Sequence, residues 1–240
     1  MSEIAPSKLA ATARARLDGL VRKGLFRSSG LQLLLSLVVL FVAYPVLEGM
    51  PHGESITSAL FTYVMLTALL AVGGRPRVLV IGAILLAPAI AFRWLPHFTA
   101  LAPDHPLSAG SLAIFVGFTI WQLLRFALRA RRVDAEVLSA GISVYLLVGL
   151  LWAFLYLMVA GMVPNAFAFT PAPASGTPLD FADSIYFSFC TLTTAGYGDI
   201  TPVNRVVRML ATLESIAGVL YLAVLVARLV SLYSQPAEKP

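Results

Sequence analysis

The stretch from Phe181 to Asp199, FADSIYFSFCTLTTAGYGD, decides how this chain is read. Its first part, Phe181 to Thr194, is half apolar and shorter than the roughly 17 to 25 residues a helix needs to cross a bilayer. It follows the turn residues Pro171, Pro173, Gly176 and Pro178 and runs directly into Thr193-Thr194-Ala195-Gly196-Tyr197-Gly198-Asp199. A helix that enters the hydrocarbon and stops is tolerated only where its irregular end is buried in protein or lines a water path. The pattern therefore predicts a re-entrant helix that dips in from one side and carries a glycine-containing strand into the membrane. At average residue usage a Thr-x-Gly-Tyr-Gly string arises by chance in on the order of one such chain per several hundred, which makes the motif a strong signal.

The rest of the chain supplies the membrane. Of its 240 residues 59% are hydrophobic and 12% charged, with mean hydropathy +0.86, against about 45 to 50% and about 25% in soluble domains. Apolar segments recur at Leu31 to Leu47, Ile56 to Val72, Val78 to Leu95, Leu112 to Leu128, Ile142 to Val163 and Val207 to Leu232, each long enough to span. The expected fold is an all-α membrane protein of six spanning helices plus the re-entrant helix. Its parts are a cytoplasmic segment over 1–30, a four-helix domain over 31–135 and a two-helix module over 136–240. The lone Cys190 excludes an intrachain disulfide or a cysteine metal cluster, and no His-x-x-x-His or carboxylate cluster offers a catalytic metal site. Enzymatic chemistry is not expected.

Orientation follows from the basic residues. Of the 17 Lys and Arg, all but Arg93, Arg205 and Arg208 fall on one side if the N-terminus is inside. By the positive-inside rule both termini face the cytoplasm of a multi-pass cell-membrane protein, and the re-entrant segment enters from outside. Met1 to Gly30, with Lys8, Arg14, Arg16, Arg22, Lys23 and Arg27, lacks the apolar core of a secretory signal and reads as a helix on the inner surface. The net charge of +5 is thus attributed to membrane topology and anionic lipid headgroups rather than nucleic acid.

Over Asp180 to Pro202, and more loosely over Ile142 to Leu232, the chain resembles the tetrameric potassium channels, with their Thr-Val-Gly-Tyr-Gly selectivity filter. The resemblance implies that carbonyls of Thr194, Ala195, Gly196 and Tyr197, with the Thr194 hydroxyl, replace the water shell of K⁺ on a path continued by Gly198. It also implies that three identical subunits complete the ring, with K⁺ the sole cofactor and no organic group. Glycine supplies the backbone angles such a strand requires at Gly196 and Gly198. The carboxyl end of the re-entrant helix, with roughly half a negative charge, would stabilise a cation in mid-membrane.

Around this strand Thr193, Tyr186, Cys190 and Asp199 are the expected supports. Ala195 stands where the family commonly has valine, Tyr186 and Phe187 where it has paired tryptophans, and Cys190 where some members place a glutamate. Asp199 commonly bonds to the first of those aromatics in this family, a contact Tyr186 can make through its hydroxyl. In the last span Gly218 is read either as a gate hinge, which the resemblance suggests, or as a site of close packing, since a mid-helix glycine costs about 1 kcal/mol relative to alanine. Glu214, ionisable inside a span, is read as a buried hydrogen bond behind the re-entrant helix or as a residue tuning ion occupancy or pH response.

The four front spans invite a test for voltage sensing, for which Arg125, Arg129 and Arg132 are the candidates. They share one face but cluster at the cytoplasmic end, and the second and third spans hold no acidic partner in their interiors. Steep gating needs about three to four charges per subunit crossing the field, so voltage dependence is expected to be weak or absent and the arginines to act as snorkelling anchors. His52, His97 and His105 fall in outer loops, where external acid sensing is a further expectation. Trp94 reads as an interfacial anchor, Trp121 and Trp152 as packing residues. No nucleotide- or calcium-binding domain follows Leu232, so regulation is expected from membrane, pH, ions or a partner. The expected function is a potassium-selective channel without steep voltage gating. The rivals are a weakly selective cation channel, a subunit of an ion-coupled transporter, and a non-conducting membrane sensor.

Overall fold

The structure, a computed structural model, describes residues 29–48, 50–72, 76–95, 106–130, 134–170 and 179–233. Residues 1–28 of the expected 1–30 surface helix, Arg132, His97, His105, the loop with Pro171, Pro173, Gly176 and Pro178, and the tail from residue 234 lie outside the described residues, while Ser29 and Gly30 begin the first spanning helix.

Six helices are long and apolar enough to cross a membrane: α1 Ser29–Glu48, α2 Gly53–Ala71, α3 Pro76–Trp94, α4 Pro106–Arg129, α5 Ala135–Met162 and α7 Arg205–Tyr233. Between the last two lies α6, Phe181–Leu192, whose 12 residues rise only about 18 Å and cannot span. The largest departures from the apolar runs are at two helix starts, and both have a local cause. Pro106 occupies the first turn of α4, where its fixed φ suits the helix and its missing N–H is no loss. Asp134 caps α5 by accepting from the Val137 N–H at 2.9 Å, with Glu136 in the first turn against the positive helix end.

One apolar core joins the front helices to α5. Leu33, Leu37 and Leu40 of α1, Phe61 and Val64 of α2, Phe115 and Val116 of α4, and Val144, Leu147 and Phe154 of α5 are all buried in it, and Phe181 of α6 closes it. α4 lies along α5, and α1 packs on both α2 and α5, so the front helices sit against the outer helix of their own chain. Polar groups inside the front bundle pair with each other: Ser36 Oγ and Thr67 Oγ1 lie 3.0 Å apart, and Trp94 Nε1 donates to Thr62 Oγ1 at 3.0 Å. One expectation is corrected. Trp121 is not a packing residue within the chain: it is 60% exposed on α4, with the Arg125 guanidinium 6.0 Å from its ring.

The strands, which the apolar pattern did not foretell, are β1 Phe167–Phe169 and β2 Ile200–Pro202, paired antiparallel with Ala168 opposite Thr201. With Thr170 N–H to Asp199 O at 2.7 Å and Val203 N–H to Ala166 O at 2.9 Å, they fasten the segment after α5 to the segment after the filter motif.

Candidate functional site

The site begins at the N-terminus of α6. Asp180 accepts from the Asp183 N–H at 2.8 Å, and the acidic Asp183 sits in the first turn, which satisfies orphan donors and complements the helix dipole. Neighbouring residues then divide between two faces. Phe187 is buried against Tyr156 and Phe167, at centroid distances of 4.9 and 5.2 Å, whereas Tyr186 turns to the filter motif. Its ring stacks on Tyr197 at 6.3 Å and 4°, and its hydroxyl donates to Asp199 Oδ2 at 2.6 Å. The expected Tyr186 to Asp199 contact is therefore present. That bond is the largest cause holding the Asp199 carboxyl below its ordinary range, and the Ile200 N–H adds to it at 3.0 Å. Cys190, half-buried, adds no charged brace.

At its C-terminus α6 ends in a Schellman arrangement. The Thr194 N–H bonds Thr191 O at 3.0 Å and the Ala195 N–H bonds Cys190 O at 2.9 Å, with Thr194 left-handed at φ 60°. This position is usually glycine, and a β-branched residue there is strained. The hydroxyl of Thr194 donates to Thr193 O at 2.6 Å. Positive φ then recurs at Gly196 (58°) and Gly198 (80°), at every second residue. Left-handed residues therefore alternate with ordinary ones from Thr194 to Gly198. Thr193 to Gly198 are exposed along their whole length, Tyr197 by 73%.

The inner helix α7 braces this end. Ser215 Oγ donates to Thr191 O at 3.2 Å, and Gly218 lies so close that an added Cβ would collide with the carbonyl of Leu192. α7 runs unbroken through Gly218, so close packing gives that glycine a reason. Glu214 is fully buried, the sole buried Asp, Glu, Lys, Arg or His among the described residues. It takes Tyr156 OH on Oε2 at 2.5 Å and faces Ser188 Oγ through Oε1 at 2.5 Å. A buried hydrogen bond behind α6 was one of the two expectations for Glu214, and its partners, Tyr156 and Ser188, were not foreseen. The available signal was Ser184 and Ser188, four residues apart and both buried on one face of α6.

The remaining candidates stand apart from the Thr193 to Gly198 strand. Arg125 and Arg129 are exposed near the end of α4. The end of α4 is held instead by Arg228 of α7, whose Nη2 donates to Leu128 O at 2.7 Å and Ala130 O at 3.0 Å. Among the described residues no group of three or more His, Cys, Asp or Glu could hold a metal ion.

Sequence comparisons bear on the same region. Residues 143–235, spanning α5 to α7, match the family described as "Ion channel". The inward rectifier potassium channel Kirbac3.1 of Paramagnetospirillum magnetotacticum is 31% identical over 94 residues, 39% of this chain and 28% of that protein. Protein LctB of Geobacillus stearothermophilus is 36% identical over 80 residues, 33% of this chain and 59% of LctB. Against both, the chain matches less than two thirds of the relative's length. Protein LctB of Bacillus caldotenax is 34% identical over 102 residues, 41% of this chain and 74% of LctB. No solved structure matches significantly. With six apolar helices of spanning length and these matches, the chain belongs to an ion-channel family of multi-pass membrane proteins.

Proposed function

We propose that the protein is a potassium-selective channel, formed by four copies of this chain, that conducts K⁺ passively with both termini in the cytoplasm. The observation that carries this reading is the exposed strand Thr193 to Gly198 with left-handed residues at Thr194, Gly196 and Gly198. A polar backbone of this kind does not face lipid, so other chains must cover it. Four such strands around one axis present rings of carbonyls from Thr194, Ala195, Gly196 and Tyr197 in place of an ion's water shell. The exposed side chains Met209, Leu213, Ile216 and Leu220 of α7, at helical spacing, are available to line or seal the path. The name of the matched inward rectifier supports K⁺ as the cargo.

Voltage sensitivity is weak in this reading, because Arg125 and Arg129 sit exposed at the end of α4 and the front bundle buries no Asp or Glu among the described residues. Gly218 acts as the close-packing point under the filter, and bending there remains its second role. The test is flux into liposomes holding purified protein, under K⁺ and Na⁺ gradients, with barium as blocker. Barium-sensitive flux strongly favouring K⁺ is expected. Equal K⁺ and Na⁺ flux would mean a weakly selective cation pore, and no flux would favour a pore fold used for assembly alone.

A further inference from the structure

Glu214 of α7 meets both α5 and α6 in one polar contact shared by the three helices. Ser188 Oγ lies 2.5 Å from Glu214 Oε1 and 2.7 Å from Gly149 O. Both neighbours are acceptors if Glu214 is ionised, yet a serine hydroxyl carries one proton. Both contacts are hydrogen bonds only if the carboxyl brings a proton of its own. The surroundings agree. Glu214, Ser188 and Tyr156 are all fully buried, and the groups bonded to Glu214 are neutral hydroxyls with no cation among them. A buried charge without a partner is far costlier than a hydrogen-bonded acid.

Resting on the channel reading above, we infer that Glu214 is a positioning residue held as a neutral carboxylic acid. It completes the chain Tyr156 O–H to Glu214 Oε2, Glu214 Oε1–H to Ser188 Oγ, and Ser188 O–H to Gly149 O. This chain ties the inner helix, re-entrant helix and outer helix together two turns before the filter. Removing the proton leaves two oxygens facing each other without a donor and places a negative charge behind α6. The titratable groups facing Glu214 are Tyr156 and, farther off, Tyr145, both from α5. Ser188 is the contact from α6, and Arg208 on α7 is occupied with Pro202 O at 3.1 Å. Conduction is therefore expected to fall as pH rises into the range where this acid ionises.

Glu214→Gln separates the possibilities, because the amide reproduces the acid form: its N–H₂ donates to Ser188 and its oxygen accepts from Tyr156. Infrared spectra of the full chain in lipid should contain a protonated-carboxyl stretching band at neutral pH that Glu214→Gln removes. Flux through Glu214→Gln should stay within about twofold of the wild type at neutral pH and lose the alkaline fall, whereas Glu214→Ala should lose about tenfold, the loss of a positioning bond worth roughly 1.4 kcal/mol. Absence of the band, or the same alkaline fall in Glu214→Gln, overturns the inference. A band present in a protein that passes no ions would uphold the protonated acid and overturn the channel reading instead.

Discussion

The front bundle and the pore module use similar apolar helices for different ends. In α1 to α4 the fully buried polar side chains among the described residues are serines and threonines, with Ser36 and Thr67 paired to each other. In α5 to α7 the chain buries a carboxyl, places a threonine at positive φ and leaves six consecutive residues uncovered. Strain and exposed backbone persist only where the surroundings over-determine them, and they mark sites of function. In the channel proposed above, the front helices would be support and the module the ion path. The two touch directly: Phe41 of α1 meets the Phe189 ring at 5.1 Å, and Tyr44 and Phe61 meet Phe181 at 5.2 and 5.1 Å.

The largest expected effect sets one glycine of each region against the other. Gly218→Ala drives a Cβ into the Leu192 carbonyl. It should reduce flux at least tenfold or dissolve the assembly, read by liposome flux and by size on a detergent column. Gly117→Ala on α4 meets nothing within 4 Å and should leave flux unchanged, with up to about 1 kcal/mol of added helix stability. Equal damage from both would erase the distinction between the regions.

Next comes Tyr186→Phe. Asp199 is held below the ordinary carboxylate value by the tyrosine hydroxyl, so the interaction is present above the unfolded pKa of about 3.9 and is lost only as pH falls through the lower folded value. Without the hydroxyl, the acid midpoint for loss of conduction should move upward toward about 3.9, and inactivation should quicken. An unmoved midpoint and unchanged inactivation kinetics would remove Asp199 from the filter's support.

A smaller effect is expected from Arg228→Ala, which frees the carbonyls of Leu128 and Ala130. A loss of roughly 1 kcal/mol in thermal stability, with K⁺ preference intact, would fit a fastening between the regions, and altered selectivity would not. Smallest is Arg125→Gln with Arg129→Gln. The flux ratio at opposite imposed voltages should not change, and a large change would make α4 a sensor after all.

The six apolar helices were legible because long apolar runs report burial in lipid without reference to a partner, and the short helix α6 was legible between the turn residues and the glycine motif. The positive φ at Gly196 and Gly198 was legible because glycine adopts such angles freely, whereas the same conformation at Thr194 was not. Pairings were not. Tyr156 and Ser188 lie 58 and 26 residues from Glu214, and nothing in local periodicity joins them. The β1 and β2 strands are three residues each, too short for an alternating pattern to declare itself. Trp121 misled because a large aromatic in an apolar helix is equally at home against protein or lipid. Arg228 reaches across 100 residues to Leu128, and its charge suggested topology alone.

The most direct test of the central claim is to image the purified protein in lipid discs by cryo-electron microscopy in K⁺ and again in Na⁺. A potassium channel of this chain should show four copies around one axis, with Thr194 to Tyr197 lining it and a column of density that changes when Na⁺ replaces K⁺. A monomer or dimer with Thr193 to Gly198 away from any shared axis would contradict it.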